Sequence, residues 1–331
     1  MKKQSIVVQW EKRGKMKEKE KKVIIAGAGV MGASIAQVFA GSGYEVVLYD
    51  VRGDAIAKGR ELIHINQKAA KEEGYLTEAE CEERLGRICF CESMECFRLA
   101  DFVIEAIVEN REIKKKFWGE ISQLVSEDAI LTSNTSGLSI TDLAEAVERP
   151  ERFCGLHWLN PPHICPLVEI ICGTATTEKT VEKVREISID VGKVPVVLKK
   201  EIPGFLINRF QFAILREAMS LVESGIASLE DVDKVFKYGL GMRYACLGPF
   251  EIADLGGLDT FYQIGQYLFP DLSDTKKVSH LLADLVEKGA FGVKSQSGFY
   301  DYPGGKDREM IEKRDKAFMK IVHYLYEENY N

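Results

Sequence analysis

The sequence predicts an α/β protein in which a doubly wound, mainly parallel sheet is followed by an all-helical domain. Short apolar runs alternate with helical patterns along residues 22–201, as is typical of a parallel sheet covered by helices on both faces. The pattern changes at Glu201-Ile202-Pro203-Gly204, after which helical periodicity prevails. We therefore expect a charged tail (residues 1–21) and two domains, residues 22–201 and residues 202–331.

The first domain is expected to begin with a βαβ unit. Lys22–Ala26 and Glu45–Asp50 are short apolar runs, and Ala33–Ser42 between them has helical spacing. A long charged pair of helices is predicted from Asp54 to about Glu83. The remaining predicted elements are strands at Phe102–Ala106, Ala129–Ser133, Phe153–His157, Leu167–Ile171 and Pro195–Leu198, and helices at Ile113–Leu124 and Thr180–Val191.

The second domain is expected to be helical throughout. Residues 205–225 (FLINRFQFAILREAMSLVESG) are apolar around most of a helix, which predicts a central helix buried on several sides. The segment from Lys306 to Asn331 has an amphipathic pattern, and we expect it to pack on the second domain.

Composition and charge limit the classes of function. The chain has 331 residues, 46% of them hydrophobic and 29% charged, which is typical of a globular protein with two domains. A formal net charge of -7 argues against binding to nucleic acid or to an anionic membrane surface. A small-molecule substrate is compatible with this charge, since local hydrogen-bond donors can outweigh it.

The cysteines and the N-terminus predict a cytoplasmic protein without a metal site. Cys89-x-Cys91 followed by Cys96 resembles a metal motif, but no second CxxC pair or histidine cluster accompanies it. Scattered cysteines of this kind are typical of reduced thiols in the cytoplasm. Residues 1–21 mix lysine and glutamate and lack the apolar core of a secretory signal.

A glycine-rich turn joins the first predicted strand to the first helix. Gly27-Ala28-Gly29-Val30-Met31-Gly32 fits the pattern G-x-G-x-x-G. Gly27 would permit the tight turn, Gly29 would let the backbone approach a pyrophosphate, and Gly32 would let the helix pack on the strand. The N–H groups at the helix N-terminus favour phosphates. These features predict a Rossmann-like dinucleotide site.

Asp50 favours NAD over NADP. At the end of the second strand its carboxylate would accept hydrogen bonds from the adenosine ribose and repel a 2′-phosphate. Arg52 weakens this preference slightly, because an arginine there can serve NADP. The alternative interpretation of Asp50 is a turn residue at the end of a strand.

Polar side chains follow the predicted strand Ala129–Ser133. In a doubly wound sheet, ligands bind outside the carboxyl ends of the strands, so Asn134 and Ser136 are placed to meet a substrate. Ser139-x-x-Asp142 also has the pattern of a helix start. Both roles are compatible, with Ser139 as the helix cap.

A histidine and a glutamate interrupt two neighbouring apolar runs in residues 155–171 (GLHWLNPPHICPLVEII). The prolines between His157 and Glu169 would fold the second run back beside the first, which would bring the two side chains together as a catalytic pair. A lone histidine is more often a satisfied core residue, so the residues alone leave both interpretations open. His163 is expected to be a loop residue without a chemical role.

The motifs, taken in order, resemble those of the L-3-hydroxyacyl-CoA dehydrogenases. Between Lys22 and Tyr302 they are GAGVMGASIAQ, Asp50, VIEAIVEN, SNTSGLSI, GLHWLNP, PLVEII, PGFLINR, GPFEIADLGGLD and KSQSGFYDY. This family oxidises a 3-hydroxyacyl thioester to the 3-ketoacyl thioester with NAD. The resemblance implies a Rossmann-like N-terminal domain and a helical C-terminal domain that binds substrate and forms a homodimer.

The resemblance also implies roles for particular residues. His157 would be the catalytic histidine and Glu169 its carboxylate partner. Ser136 and Asn208 would complete the catalytic set, near the substrate's hydroxyl group and thioester carbonyl. The nicotinamide half of NAD would be contacted by Glu109, Lys114, Asn160 and Lys294, and Ser136 would also contact the cofactor.

Some positions depart from the family's pattern where CoA would bind. CoA-using members usually have a lysine just before the Leu-Val-Glu segment, where this chain has Pro166. A second lysine, on the long helix, aligns with Glu73, and a neighbouring serine of some members aligns with Asn66. Lys68 and Lys71 lie close by in the sequence and could substitute for them.

Three functions therefore stay open. The segments NPPHICPLVE and GLGMRYACLGPFE resemble the branch that contains lambda-crystallin and L-gulonate dehydrogenase, together with the carnitine dehydrogenases, which act on free polar 3-hydroxy acids. SNTSGLSI and KSQSGFYDY favour the CoA users. We expect oxidation of 3-hydroxybutyryl-CoA first, and oxidation of a free acid such as L-gulonate, carnitine or 3-hydroxybutyrate second. A non-catalytic, NAD-binding structural relative is the third possibility.

Overall fold

A computed structural model describes residues 22–327, which fall into two compact units. The first unit contains the described residues up to Leu206 together with Phe318–Val322. The second unit runs from Ile207 to Ala317 and continues from His323. The predicted tail, residues 1–21, lies outside the described residues.

The first unit is built on one eight-stranded sheet, with the strand order β3-β2-β1-β4-β5-β6-β7-β8. Neighbouring strands are parallel except β6 and β7, which are antiparallel. The predicted mainly parallel sheet is therefore confirmed. The strands are β1 (Lys22–Ala26), β2 (Glu45–Tyr49), β3 (Ile88–Cys91), β4 (Phe102–Glu105), β5 (Ile130–Ser133), β6 (Phe153–Trp158), β7 (Leu167–Ile171) and β8 (Val194–Leu198).

Helices accompany the sheet in the alternation that the sequence predicts. They are α1 (Val30–Gly41), α2 (Gly53–Glu72), α3 (Glu78–Gly86), α4 (Arg111–Leu124), α5 (Ile140–Ala144) and α6 (Glu178–Asp190). Alternate residues of the strands contribute to two buried apolar clusters, as Ile24 does to one cluster and Ile25 to the other. The sheet is thus covered on both faces, as expected for parallel strands.

Strand β3 is absent from the predicted elements. Its four residues, Ile88-Cys89-Phe90-Cys91, are too few to show a clear period, and two of them are cysteines. Cys89 and Cys91 are both buried in the same apolar cluster. The Cys-x-Cys spacing therefore places both thiols on the same face of an edge strand.

The second unit is helical, as predicted. A π-helical turn, Phe236–Leu240, joins its second and third helices. The helices are α7 (Ile207–Glu223), α8 (Leu229–Val235), α9 (Gly241–Cys246), α10 (Pro249–Gly256), α11 (Leu258–Leu268), α12 (His280–Glu287) and α13 (Lys306–Val322), of which the last residues, from Phe318, belong to the first unit.

One expectation for the second half of the chain is wrong. No residue of α7 is buried, and Phe210 and Phe212 are 60% and 62% exposed, because too little of the unit packs around this helix. Most of the C-terminal helix groups with the second unit, as expected, but its last residues, Phe318–Val322, group with the first unit. There Lys320 Nζ lies 3.5 Å from Glu73 Oε2, directly after α2.

Among residues 22–327, none of the helices has the length and apolar character needed to cross a membrane.

Candidate active site

The glycine turn between β1 and α1 has the geometry that a dinucleotide needs. Gly27 has a φ of +104°, and a Cβ there would lie 2.4 Å from the carbonyl oxygen of Ala106. A Cβ on Gly32 would lie 1.8 Å from the carbonyl oxygen of Gly27. Beside Gly29, the N-cap of α1, a Cβ would meet no atom within 4 Å. The turn is therefore closed toward the sheet and open where a pyrophosphate would approach.

Asp50 lies at the end of β2, next to this turn. Its Oδ2 accepts a hydrogen bond from the Ala28 N–H at 2.9 Å, and its Oδ1 accepts one from the Arg52 N–H at 3.0 Å. Val30 and Met31 form the first turn of α1, which follows the same glycines. A carboxylate held in this place suits the ribose hydroxyls of adenosine and disfavours a 2′-phosphate. The residues present thus fit NAD.

The edge strand β3 supports Asp50 from the other side, since the Asp50 N–H donates to the carbonyl oxygen of Cys91 at 3.2 Å. A hydrogen bond from Cys96 lowers the pKa of Cys91 to about 7, and the same contact together with burial raises the pKa of Cys96. Both thiols lie in the apolar core. Between residues 22 and 327, no group of three or more His, Cys, Asp and Glu side chains could hold a metal ion.

A fully buried ion pair lies at the carboxyl end of β4. Lys114 Nζ on α4 pairs with Glu105 Oε1, and neither side chain is exposed. Glu105 Oε2 accepts a hydrogen bond from Ser133 Oγ at 2.6 Å, and its Oε1 accepts one from the Ile107 N–H at 3.0 Å. A buried ion pair is tolerated when neighbouring groups satisfy its remaining hydrogen bonds, and these neighbours do so.

Glu109 extends this network to the loop after β5. Its Oε2 lies 3.3 Å from Lys114 Nζ. Its Oε1 accepts hydrogen bonds from Thr135 Oγ1 at 2.5 Å and from the Ser136 N–H at 3.0 Å. The structure therefore brings together three of the residues that the resemblance assigns to NAD binding, namely Glu109, Lys114 and Ser136.

The same loop also orders its neighbours. Asn134 Oδ1 accepts a hydrogen bond from the Trp158 N–H at 2.8 Å, so this side chain connects the carboxyl ends of β5 and β6. Ser139 Oγ accepts a hydrogen bond from the Asp142 N–H at 3.1 Å, which confirms the predicted helix start.

His157 and Glu169 lie directly opposite each other on the antiparallel strands β6 and β7. His157 Nδ1 is 2.8 Å from Glu169 Oε2, and the two side chains are 5% and 1% exposed. The structure thus brings into contact two residues that the sequence separates by a proline-rich loop. A neutral imidazole that donates from Nδ1 to a carboxylate has Nε2 as a proton acceptor.

The loop between β6 and β7 is held by a buried lysine. Lys193 Nζ donates hydrogen bonds to the carbonyl oxygens of Pro162 and Cys165 at 2.7 and 2.8 Å. The same ammonium lies 5.5 Å from the centroid of the Trp158 ring. Burial lowers the pKa of Lys193 to about 8. Asn160, near the start of this loop, is exposed.

The two remaining predicted site residues belong to the second unit. Asn208 is half-buried in the first turn of α7, and Lys294 is exposed in the 3-10 turn Val293–Ser295. Their roles stay predictions.

Sequence reasoning missed Glu105 and Lys193. A signal for Glu105 exists, since a charged residue ends an otherwise apolar strand and a lysine, Lys114, follows on the next helix. Lys193 has no comparable signal, because Gly192-Lys193 has the pattern of an exposed turn. Only the packed structure encloses it.

Both halves of the chain match models of one protein family. Residues 22–202 match the NAD-binding domain of 3-hydroxyacyl-CoA dehydrogenase. Residues 204–302 match the C-terminal domain of the same family.

Individual relatives agree with these matches. The chain is 39% identical over 287 residues to a 3-hydroxybutyryl-CoA dehydrogenase of Bradyrhizobium diazoefficiens, covering 86% of this chain and 97% of that protein. It is 34% identical over 304 residues to a 5-formyl-3-hydroxy-2-methylpyridine 4-carboxylate 5-dehydrogenase of Mesorhizobium japonicum, covering 92% and 97%.

Two solved structures are similar as well. An NAD+-dependent 5-formyl-3-hydroxy-2-methylpyridine 4-carboxylic acid 5-dehydrogenase superposes with a TM-score of 0.86 at 34% identity, covering 92% of this chain and 98% of that one. A (S)-3-hydroxybutyryl-CoA dehydrogenase from Ralstonia eutropha gives a TM-score of 0.72 at 35% identity, covering 86% and 100%. The chain therefore belongs to the 3-hydroxyacyl-CoA dehydrogenase family and is an NAD-dependent oxidoreductase.

Proposed function

We propose that this protein oxidises the 3-hydroxyl group of an L-3-hydroxyacyl-CoA to the ketone, with 3-hydroxybutyryl-CoA as the first candidate substrate. The observation that carries the proposal is the buried contact of 2.8 Å between His157 Nδ1 and Glu169 Oε2. The name of the Bradyrhizobium relative, a 3-hydroxybutyryl-CoA dehydrogenase, supports the substrate.

His157 is the general base in this proposal. The hydroxyl proton must leave as the alcohol is oxidised, and a neutral imidazole is suited to accept it near neutral pH. Nε2 accepts the proton because Nδ1 is engaged with Glu169. The carboxylate stabilises the resulting imidazolium, and each pKa unit of that stabilisation corresponds to about 1.4 kcal/mol. In the reverse direction the imidazolium returns the proton to the ketone oxygen.

Bound NAD would supply the acceptor for the hydride. The turn from Gly27 to Gly32 would hold its pyrophosphate, and Asp50 its adenosine ribose. The buried pair of Glu105 and Lys114 would fix the segment that carries Glu109. We assign the nicotinamide half to Glu109, Lys114, Asn160 and Lys294, and a further contact with the cofactor to Ser136.

We assign substrate binding to Asn208 and to Ser136, and we infer that the second unit forms a homodimer. Large apolar side chains of this unit support the dimer: Phe250 is 86% exposed, Tyr238 79% and Phe269 76%. Exposed apolar surface of this extent is typical of protein interfaces. Sedimentation at micromolar concentration should give twice the mass of the chain, and a monomer would reject the dimer.

None of the eight cysteines forms a disulfide, which supports the expected cytoplasmic location.

A free hydroxy acid is the second candidate substrate, and two observations favour it. Glu73, which stands where CoA users have a lysine, is paired with Lys320, so this position offers no net positive charge to a phosphate. The Mesorhizobium relative is named for a pyridine carboxylate, which carries no CoA.

A substrate panel tests the proposal. NADH oxidation would be followed with acetoacetyl-CoA, beside NAD reduction with L-gulonate, carnitine and free 3-hydroxybutyrate. We expect turnover with acetoacetyl-CoA. Turnover with the free acids alone would replace the thioester by the second candidate and leave the role of His157 in place. The absence of turnover with all four would reject the proposed reaction.

A further inference from the structure

We propose that the junction Gly204–Leu206 is part of the catalytic machinery and that Phe205 is a positioning residue for His157. The proposal deepens the proposed function and rests on it in one respect, since it takes His157 as the base. The assignment comes from three observations on the junction: its backbone conformation, a ring contact and a hydrogen bond to Glu169.

Phe205 is held in an unusual backbone conformation. Its φ is +50°, in the left-handed region that bulky residues rarely adopt. The residue is 1% exposed, and its N–H donates to the carbonyl oxygen of Ile202 at 3.0 Å. Strain of this kind persists only where the surrounding structure fixes it, and it concentrates at functional sites.

The ring of Phe205 packs against the imidazole of His157. The two ring centroids lie 5.5 Å apart and the ring planes meet at 60°, an edge-on arrangement that aromatic pairs favour. The hydrogen bond to Glu169 holds the Nδ1 edge of the imidazole, and Phe205 restricts rotation of the ring about that bond. Together the two contacts fix the direction in which Nε2 points.

The junction also holds the carboxylate. The Leu206 N–H donates to Glu169 Oε1 at 2.8 Å, while Oε2 of the same group contacts His157. Hydrogen bonds to an ionised carboxylate are stronger than neutral ones, so both oxygens of Glu169 are well fixed. Leu206 is the last residue of the first unit before α7 begins at Ile207.

The segment that precedes the junction is anchored as well. Glu201 Oε1 accepts a hydrogen bond from Ser139 Oγ at 3.0 Å, and Oε2 accepts one from the Thr141 N–H at 3.1 Å. Burial acts to raise the pKa of Glu201, but these hydrogen bonds outweigh burial and lower it. With Glu201 and Leu206 both held, the segment imposes the strained conformation of Phe205.

The test compares Phe205→Leu with Phe153→Leu as a matched control. Both variants lose a ring from the same apolar cluster, and Phe153 lies on β6 with His157, but its ring faces Trp118 at 5.0 Å. We expect Phe205→Leu to lower kcat roughly tenfold with the Kd for NAD within about twofold, because a misplaced base slows only the chemical step. Phe153→Leu should lower the urea midpoint and leave kcat within about twofold.

The exchange rate of the His157 Nδ1 proton provides a readout that needs no substrate. In the full chain labelled with nitrogen-15 histidine, this proton lies between Nδ1 and Glu169, and Phe205 packs against the ring that carries it. We expect Phe205→Leu to speed its exchange about tenfold and Phe153→Leu to leave it unchanged. Equal effects of the two variants on kcat and on exchange would overturn the proposal, since Phe205 would then be ordinary core packing. A wild type without turnover would reject the proposed function, while the exchange comparison would still decide this one.

A second comparison covers the case in which Phe205→Leu does not fold. Amide exchange of Leu206 would be measured in the wild type and in Glu169→Ala, with the Phe205 amide, bonded to Ile202, as the internal reference. We expect Glu169→Ala to raise the exchange rate of the Leu206 amide at least tenfold relative to that of the Phe205 amide. The reason is that the Leu206 N–H loses its hydrogen bond to a charged acceptor. An unchanged ratio of the two rates would overturn the link between the junction and Glu169.

Discussion

The two units differ in how their apolar side chains are covered. In the first unit both faces of the sheet are covered, and large side chains such as Trp118 and Phe39 have no exposed surface. In the second unit none of residues 207–317 is buried, and Phe212 is 62% exposed. The first unit covers its own apolar side chains, whereas the second leaves large apolar side chains exposed, which the proposed homodimer would cover.

This difference indicates which contacts hold each part of the proposed site in place. A sheet sets distant residues in register, so the pairing of His157 with Glu169 is fixed within one unit. Helices without a buried core depend on further contacts for their order. Asn208, at the start of α7, is therefore expected to need a partner chain for its final position.

The largest expected effect is a difference between the two units in how much the loss of one phenylalanine ring lowers the free energy of unfolding. Phe102→Ala, at a residue 1% exposed in the first unit, should lower the free energy of unfolding by about 3–5 kcal/mol. Phe212→Ala should cost less than about 1 kcal/mol in the dissociated chain and should weaken association instead. Urea unfolding at several protein concentrations would measure both. Equal losses of unfolding free energy in the two variants, independent of protein concentration, would contradict this difference between the units.

The second prediction concerns the proposed carboxylate partner. Glu169→Gln should lower kcat/KM about 100-fold, equivalent to about 2.7 kcal/mol, because the amide cannot neutralise the imidazolium. The Kd for NAD should stay near that of the wild type. Glu186→Gln, at an exposed position on α6, is the control for loss of a negative charge. A Glu169→Gln enzyme as active as this control would contradict the role of the pair.

The third prediction uses the buried lysine of the first unit. The fold lowers the pKa of Lys193 to about 8, so between pH 8 and 10.5 the unfolded chain binds more protons than the folded one. Stability should therefore rise with pH in this window, by about 2 kcal/mol between pH 7.5 and 9.5. The measurement is the difference in unfolding free energy between the wild type and Lys193→Met at the two pH values. A difference that is the same at both would show that this lysine is not destabilised in its charged form.

The smallest expected effect concerns cofactor choice. Asp50→Ser should weaken NAD binding about tenfold, as expected for loss of a charged hydrogen-bond acceptor. It should also improve binding of NADP, because the repulsion of a 2′-phosphate is removed and Arg52 is adjacent. Titration with both cofactors measures the ratio. An unchanged ratio of the two Kd values would show that Asp50 stabilises the turn and does not select between the cofactors.

The fold could be predicted because its signals are local. Each strand of the first unit except β3 is an apolar run, and the glycine turn marks the point where β1 becomes α1. Strand β3 could not be recognised in four residues with two cysteines. The burial of α7 was overestimated because an apolar helix surface looks the same whether the chain itself or another chain covers it.

Some contacts of the candidate site are indicated by local sequence signals, and others are not. The contact between His157 and Glu169 is one of the two interpretations that the sequence allows, since prolines between two apolar runs can fold one run beside the other. The contributions of Glu105 and Lys193 could not be predicted, because they depend on burial by residues distant in sequence. Phe205 gave no signal either, since a positive φ at a phenylalanine is a property of the folded backbone.

The central claim is that His157 removes the substrate's hydroxyl proton, and the variant His157→Gln tests it most directly. The account predicts that NAD reduction with the active substrate falls at least about 1000-fold, while the Kd for NAD stays within about twofold. His280→Gln, at an exposed position in the second unit, should behave as the wild type. A His157→Gln enzyme that reduces NAD at the rate of this control would contradict the account.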